Sequence, residues 1–139
     1  MIETPISNLI RSITHKMMMD SEERMKNLEV NNQQGRMICY IHDHQDQGLI
    51  QKDLAEAFRR RGASITSMLQ GLERKGYIER KIPADNERQK NIYVLPKGER
   101  IVAEIGEHFQ ATEANLTQAL TEQERKEFMR LLSKIDQTM

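Results

Sequence analysis

One break in a helical rhythm constrains the fold of this chain more than any other feature. Apolar side chains recur at helical spacing along most of the sequence, but between Tyr77 and Leu95 the period drops from 3.6 to 2. Tyr77-Ile78-Glu79-Arg80-Lys81-Ile82 and Gln89-Lys90-Asn91-Ile92-Tyr93-Val94-Leu95 read as two strands, with the polar segment Pro83-Ala84-Asp85-Asn86-Glu87-Arg88 as the charged turn between them. Helices must therefore build the rest of the core. Aromatics make up only 4% of the 139 residues, Trp is absent and Met numbers nine. An aliphatic, Met-rich core of this kind suits helices better than a β-sandwich.

The helical stripes are legible one by one. Residues 6–28 carry Ile6, Leu9, Ile10, Ile13 and Met17 on one face, with Pro5 at the start. Met18, Met19, Met25 and Leu28 widen that face beyond the needs of one small core and point to a partner helix. Residues 32–43 form a second helix, with Asn31 as N-cap and Met37, Ile38 and Ile41 inward. A short third helix spans 50–58, with Ile50, Leu54 and Phe58 four apart. Arg59-Arg60-Arg61-Gly62 breaks it, and a fourth helix over 63–75 turns Ile65, Met68, Leu69 and Leu72 inward and stops at Gly76. Pro96-Lys97-Gly98 opens a long helix carrying Ile101, Ile105, Phe109, Thr112 and Leu116. Thr121-Glu122-Gln123-Glu124 is a capping box for a last helix bearing Phe128, Leu131, Leu132 and Ile135.

Several function classes drop out. No apolar run approaches the 18 residues or so of a membrane span, and Met1-Ile2-Glu3-Thr4-Pro5 has no secretory character. Cys39 is the only cysteine, so an intramolecular disulfide framework is excluded and a reducing, cytoplasmic setting is expected. No Gly-rich phosphate loop or nucleophile elbow is present, so no enzyme is expected and no cofactor is implied. Cys39 lies mid-helix among apolar neighbours, which favours an inert thiol over a redox sensor. Cys39, His42 and His44 are too loosely spaced for a metal site, and a solvated helix end is the better reading.

Charge points elsewhere. The 21 basic and 21 acidic residues cancel. Residues 49–100, however, hold twelve Lys or Arg against seven Asp or Glu, and the remainder carries the compensating acidic excess. A basic middle between acidic flanks suggests that the middle meets a polyanion.

Two short helices joined by a tight turn and followed by a basic hairpin make a winged helix-turn-helix, with the recognition helix at about 63–75 and the wing at about 77–95. The major groove of DNA admits one helix braced by another. Ser64, Thr66, Ser67, Gln70 and Arg74 form the outer face of that helix and can meet base edges or phosphates. Arg59, Arg60 and Arg61 stand at its entrance, where they can neutralise phosphates. Arg88 and Lys90, near the hairpin tip, can reach a neighbouring minor groove.

Leu54-Ala55-Glu56 followed by Ile65-Thr66-Ser67-Met68-Leu69-Gln70-Gly71-Leu72-Glu73-Arg74-Lys75-Gly76-Tyr77-Ile78-Glu79-Arg80 resembles the core of the MarR family of bacterial transcriptional regulators. Asn31-Asn32-Gln33-Gln34-Gly35-Arg36-Met37-Ile38 resembles the second helix of that family, and residues 88–98 its wing return strand and the start of the next helix. The resemblance implies a mainly α fold with a small β-hairpin. Residues 1–30 would be an N-terminal dimerisation helix, 31–98 the DNA-binding unit and 99–139 C-terminal dimerisation helices, all in one compact domain. It implies an obligate homodimer on a pseudo-palindromic double-stranded DNA operator, and a repressor relieved by a small-molecule effector bound between the dimerising and DNA-binding parts. Arg88 falls on the wing arginine. Asn86 stands where the family usually has Asp, with Asp85 adjacent. Val94-Leu95 replaces the usual Leu-Thr before the long helix, and Ser67 stands where relatives often carry Arg.

The residues alone agree on dimerisation. Ile6, Leu9, Ile10, Ile13, Met17, Phe128, Leu131, Leu132 and Ile135 exceed what a recognition unit of this size needs. Two-fold symmetry would set two recognition helices about 34 Å apart, one turn of DNA. Two other readings of the scaffold are a protein–protein adaptor that does not bind DNA and a non-specific architectural DNA binder.

Overall fold

The computed structural model describes residues 2–82 and 89–139. The expected hairpin tip, with Asp85, Asn86 and Arg88, lies outside the described residues. In chain order the elements are α1 (Pro5–Met25), α2 (Asn32–His44), α3 (Gln51–Ala57), α4 (Gly62–Arg74), β1 (Ile78–Lys81), β2 (Asn91–Val94), α5 (Pro96–Leu116) and α6 (Glu122–Thr138). β1 and β2 are antiparallel, with Ile78 opposite Val94 and Lys81 opposite Asn91. The Leu49 carbonyl accepts from the Ile92 amide at 2.9 Å, which ties the entrance of α3 to the hairpin. The strands are shorter than the period-2 runs that announced them. Ile82 is exposed, and Leu95 has become the extended N-cap of α5.

Local chemistry accounts for most of the element ends. Asn31 and Gln34 cap α2 reciprocally, and Thr121 and Glu124 do the same for α6. Pro96 starts α5 without a side-chain cap, as its fixed φ and missing N–H allow. The end of α4 is a Schellman motif. Gly76 takes φ +78°, its amide donates to the Glu73 carbonyl, and the Tyr77 amide reaches back to the Leu72 carbonyl, each at 3.0 Å.

The core sits around α2. Met37, Ile38 and Ile41 are fully buried against Leu54 of α3, Ile65, Leu69 and Leu72 of α4, Ile78 and Ile92 of the hairpin, and Ile105 of α5. Gly98 lets α5 approach the hairpin. A Cβ there would collide with the Tyr77 carbonyl and with Val94 Cγ1.

Met25 corrects the sequence reading. It does not widen a face for a partner helix but lies in the chain's own core, 3% exposed. The reason is Gly35. Its missing Cβ leaves a gap on α2 that the Met25 methyl fills, beside Ile105 and Phe109. Leu28 packs partly against the same core.

The N-terminal half of α1 and all of α6 behave differently. Ile6, Leu9 and Ile10 are 72%, 63% and 52% exposed, and α6 contains no buried residue.

Candidate nucleic-acid interface

The turn between α3 and α4 is built on an arginine in an unusual conformation. The Arg60 amide donates to the Ala55 carbonyl at 3.0 Å and the Arg59 amide to the Glu56 carbonyl at 3.3 Å, a second Schellman closure. Arg59 occupies the left-handed slot, with φ +51°. Gly62, the more obvious candidate for that slot, is instead the first residue of α4, so the helix begins one residue earlier than its apolar pattern indicates. Arg59, Arg60 and Arg61 are all exposed around this turn.

Arg61 is the N-cap of α4 and makes no side-chain cap bond, and the first helical turn contains no acidic residue. The unpaired amides and the arginines together make this end positive. Ile65, Leu69 and Leu72 anchor the inner face of α4. On the outside, Ser67, Gln70 and Arg74 are exposed, and Ser64 and Thr66 are half-buried. Three of the five expected groove-facing residues are thus open to solvent on the helix that the arginine triplet precedes. Lys90 is exposed just before β2, and with Gln51, Lys52 and Arg80 it lines a cleft between the start of α3 and the tip end of the strands. Arg88 lies outside the described residues.

Sequence reasoning missed a polar strut beside this surface. The Arg80 guanidinium pairs with Glu73 Oε1 at 2.6 Å and donates to Gln51 Oε1 at 3.3 Å. Gln51 Nε2 donates to Thr66 Oγ1 at 2.5 Å and to the Gly62 carbonyl at 3.3 Å. The Thr66 hydroxyl donates to the same carbonyl at 2.9 Å. Strand β1, helix α3 and helix α4 are thereby joined through side chains 15 and 29 positions apart in sequence. No spacing rule exposes such a set.

Behind α4 a second cluster fixes its far end. The Tyr77 hydroxyl donates to Glu29 Oε2 at 2.9 Å, and Lys97 Nζ lies 3.7 Å from the same oxygen. Lys97 also donates to the Lys75 carbonyl at 2.8 Å, and Lys75 Nζ donates to the Glu29 carbonyl. Burial of the ring, and then the Glu29 carboxylate, push the Tyr77 hydroxyl up to about 12. Glu29 is held below its ordinary value, first by the Tyr77 hydroxyl and then by Lys97.

Cys39 and His44 pack within the fold. Burial, aided by Asp43, pushes the half-buried Cys39 thiol up to about 11, far from the depressed value a sensor thiol needs. His44 stacks on Tyr40 with ring centroids 3.9 Å apart, and its Nδ1 lies 2.8 Å from the Tyr40 carbonyl oxygen. Among the described residues no cluster of His, Cys, Asp or Glu is arranged to hold a metal ion, and no helix is long and apolar enough to cross a membrane.

The model of the MarR family matches residues 30–90. A chain from Clostridium acetobutylicum assigned to the MarR family of transcriptional regulators is 53% identical, covering 99% of this chain and 100% of that one, with a TM-score of 0.69. MepR of S. aureus, solved in complex with DNA, is 31% identical over 99% of this chain and 100% of its own, with a TM-score of 0.89. S. aureus MepR in its DNA-binding conformation is 31% identical over 97% and 98% of the two chains, with a TM-score of 0.83. The identity to the Clostridium chain extends over the terminal helices as well as the helix-turn-helix, and on that ground this chain belongs to the MarR family.

Proposed function

We propose that the protein is a homodimeric, sequence-specific DNA-binding transcriptional regulator of the cytoplasm, a repressor relieved by a small-molecule effector, and not an enzyme. The observation that carries this reading is the outer face of α4. Its polar residues lie beside Arg59, Arg60 and Arg61, on a helix whose first turn has no acidic residue. The similarity to MepR, solved on DNA, supports the same use of the face. In this reading Ser64, Thr66, Ser67 and Gln70 meet base edges. Arg59, Arg60, Arg61 and Arg74 meet phosphates, and Arg88 and Lys90 carry the wing to an adjacent groove.

The exposed apolar faces of the two terminal helices support the dimeric reading. Ile6, Leu9, Ile10, Ile13 and Met17 on α1 and Leu131, Leu132 and Ile135 on α6 are exposed, a larger apolar surface than a monomer usually carries. A groove of about 440 Å³ between the end of α5 and α6, lined by Leu116, Phe128, Met129 and Leu132 among others, suits an apolar helix from a second copy. Such a dimer would present two α4 helices to a pseudo-palindromic operator. An open cavity of about 500 Å³ beside Met25, Glu29, Asn31 and Lys75 offers an effector a place to act on the far end of α4.

Mobility-shift titration on the protein's own promoter region, at two salt concentrations, tests the proposal. Tight binding that depends on both sequence and salt is the expected result. Salt-sensitive binding without sequence preference would make it an architectural binder, and no salt-dependent retention would make it an adaptor.

A further inference from the structure

Thr66 is more tightly constrained than its neighbours on α4, and the constraint has a direction. A guanidinium can only donate, so Arg80, pinned at one end by Glu73, forces the oxygen of the Gln51 amide toward itself. The amide nitrogen must then face Thr66 and donate to its oxygen. The Gly62 carbonyl can only accept, so it takes the hydroxyl proton. Both ends of the chain of hydrogen bonds are fixed by groups that cannot reverse. A threonine hydroxyl has one proton and two lone pairs. Here the proton and one lone pair are occupied, which leaves one lone pair and the γ-methyl group.

We infer that Gln51 and Arg80 are positioning residues that hold Thr66 as an acceptor with an adjacent methyl, and that Thr66 thereby selects an A·T base pair. The inference rests on the reading of α4 as the helix in the major groove. Thr66 so held cannot donate to guanine O6 or N7, nor to a phosphate oxygen. The A·T pair alone presents both a donor, adenine N6–H, and a methyl group, that of thymine, in the major groove. A C·G pair offers the donor without the methyl. Ser67 and Gln70, exposed on the same face, carry no such restriction from the strut.

The test is selection from a randomised duplex library by the purified full-length protein, followed by sequencing, for wild type, Gln51→Leu and Thr66→Val. The wild type should enrich a motif in which one position per half-site prefers A·T over G·C by about fivefold, the scale of one well-placed contact. Gln51→Leu removes the donor that obliges the hydroxyl to give its proton to the Gly62 carbonyl, so that the hydroxyl can exchange that bond for one to a base, and Thr66→Val removes the acceptor. Both should reduce the A·T preference at that same position while the rest of the motif persists. A motif unchanged in either variant would overturn the inference. So would a uniform loss of affinity in Gln51→Leu with base preferences intact, since Gln51 would then merely brace α4. Failure of the wild type to enrich any motif would instead remove the DNA-binding reading itself.

Discussion

Arg59 keeps φ +51° at the one point where the chain must turn between α3 and α4, although L-residues avoid that region by about 1–2 kcal/mol. Glycine adopts it freely, so Arg59→Gly should raise stability by about 0.5–1 kcal/mol after the greater entropy of the unfolded chain is set against the relief. The same change removes one cation from the arginine triplet. The slope of log affinity for DNA against log salt should therefore become shallower by about one per subunit. Urea unfolding and salt-dependent titration check the two halves separately, and a variant that is less stable, or whose salt slope is unaltered, contradicts the argument. Gly98 gives the opposite case. Its Cβ position is filled by the Tyr77 carbonyl, a backbone atom that cannot swing aside, so Gly98→Ala should cost about 2–3 kcal/mol in the same assay. The arginine triplet was visible in sequence as a break, but the strained residue was not. Gly62 sits where a left-handed residue is usually sought, and only the closure onto Ala55 and Glu56 assigns that slot to Arg59.

At the scale of elements, caps and turns were the most legible features because their chemistry is local. Asn31 with Gln34, Thr121 with Glu124, and Gly76 each act within a few residues of themselves. The bracket that joins the α1–α2 connection to the end of α4 and the start of α5 was not legible, since Tyr77 and Glu29 lie 48 positions apart. That bracket predicts a pH dependence. Glu29 is held below its ordinary value of 4.5, chiefly by the Tyr77 hydroxyl. A carboxylate depressed by folding contributes stability that is fully present above 4.5 and is lost as the pH falls through its lower folded value. Glu29→Gln should therefore melt below wild type at neutral pH, and the gap should close as the pH drops below 4.5 toward the folded value. Thermal melts followed by circular dichroism across that range decide it. A gap that stays constant with pH would mean that Tyr77 and Lys97 do not hold the carboxylate in its charged form. Tyr77→Phe should flatten the dependence in the same way, because it removes the hydrogen bond that does most to hold the carboxylate charged while leaving the ring in the core.

For the whole molecule, the decisive contrast is between Met25 and the residues that precede it on α1. The apolar stripe looks continuous in sequence, yet Met25 enters the chain's own core over Gly35, whereas Ile10 is 52% exposed. Sequence periodicity shows that a face is apolar; what covers it depends on the shape of the neighbouring helix. On α6 the case is simpler, because Leu132 is 42% exposed and the helix buries nothing. If a second copy covers these faces, a charge placed there should separate the subunits without unfolding either one. Leu132→Asp is the sharper choice, since Leu132 makes no part of the core around α2. Sedimentation should place the wild type near twice the 16.3 kDa chain mass and the variant nearer that of one chain, with the helical circular-dichroism signal largely kept. Affinity for operator DNA should fall by a hundredfold or so, because one α4 alone loses the effective concentration that the linked second helix provides. A wild type that sediments as a single chain would refute the paired arrangement, and a monomeric variant with undiminished affinity would show that one subunit suffices to read the site.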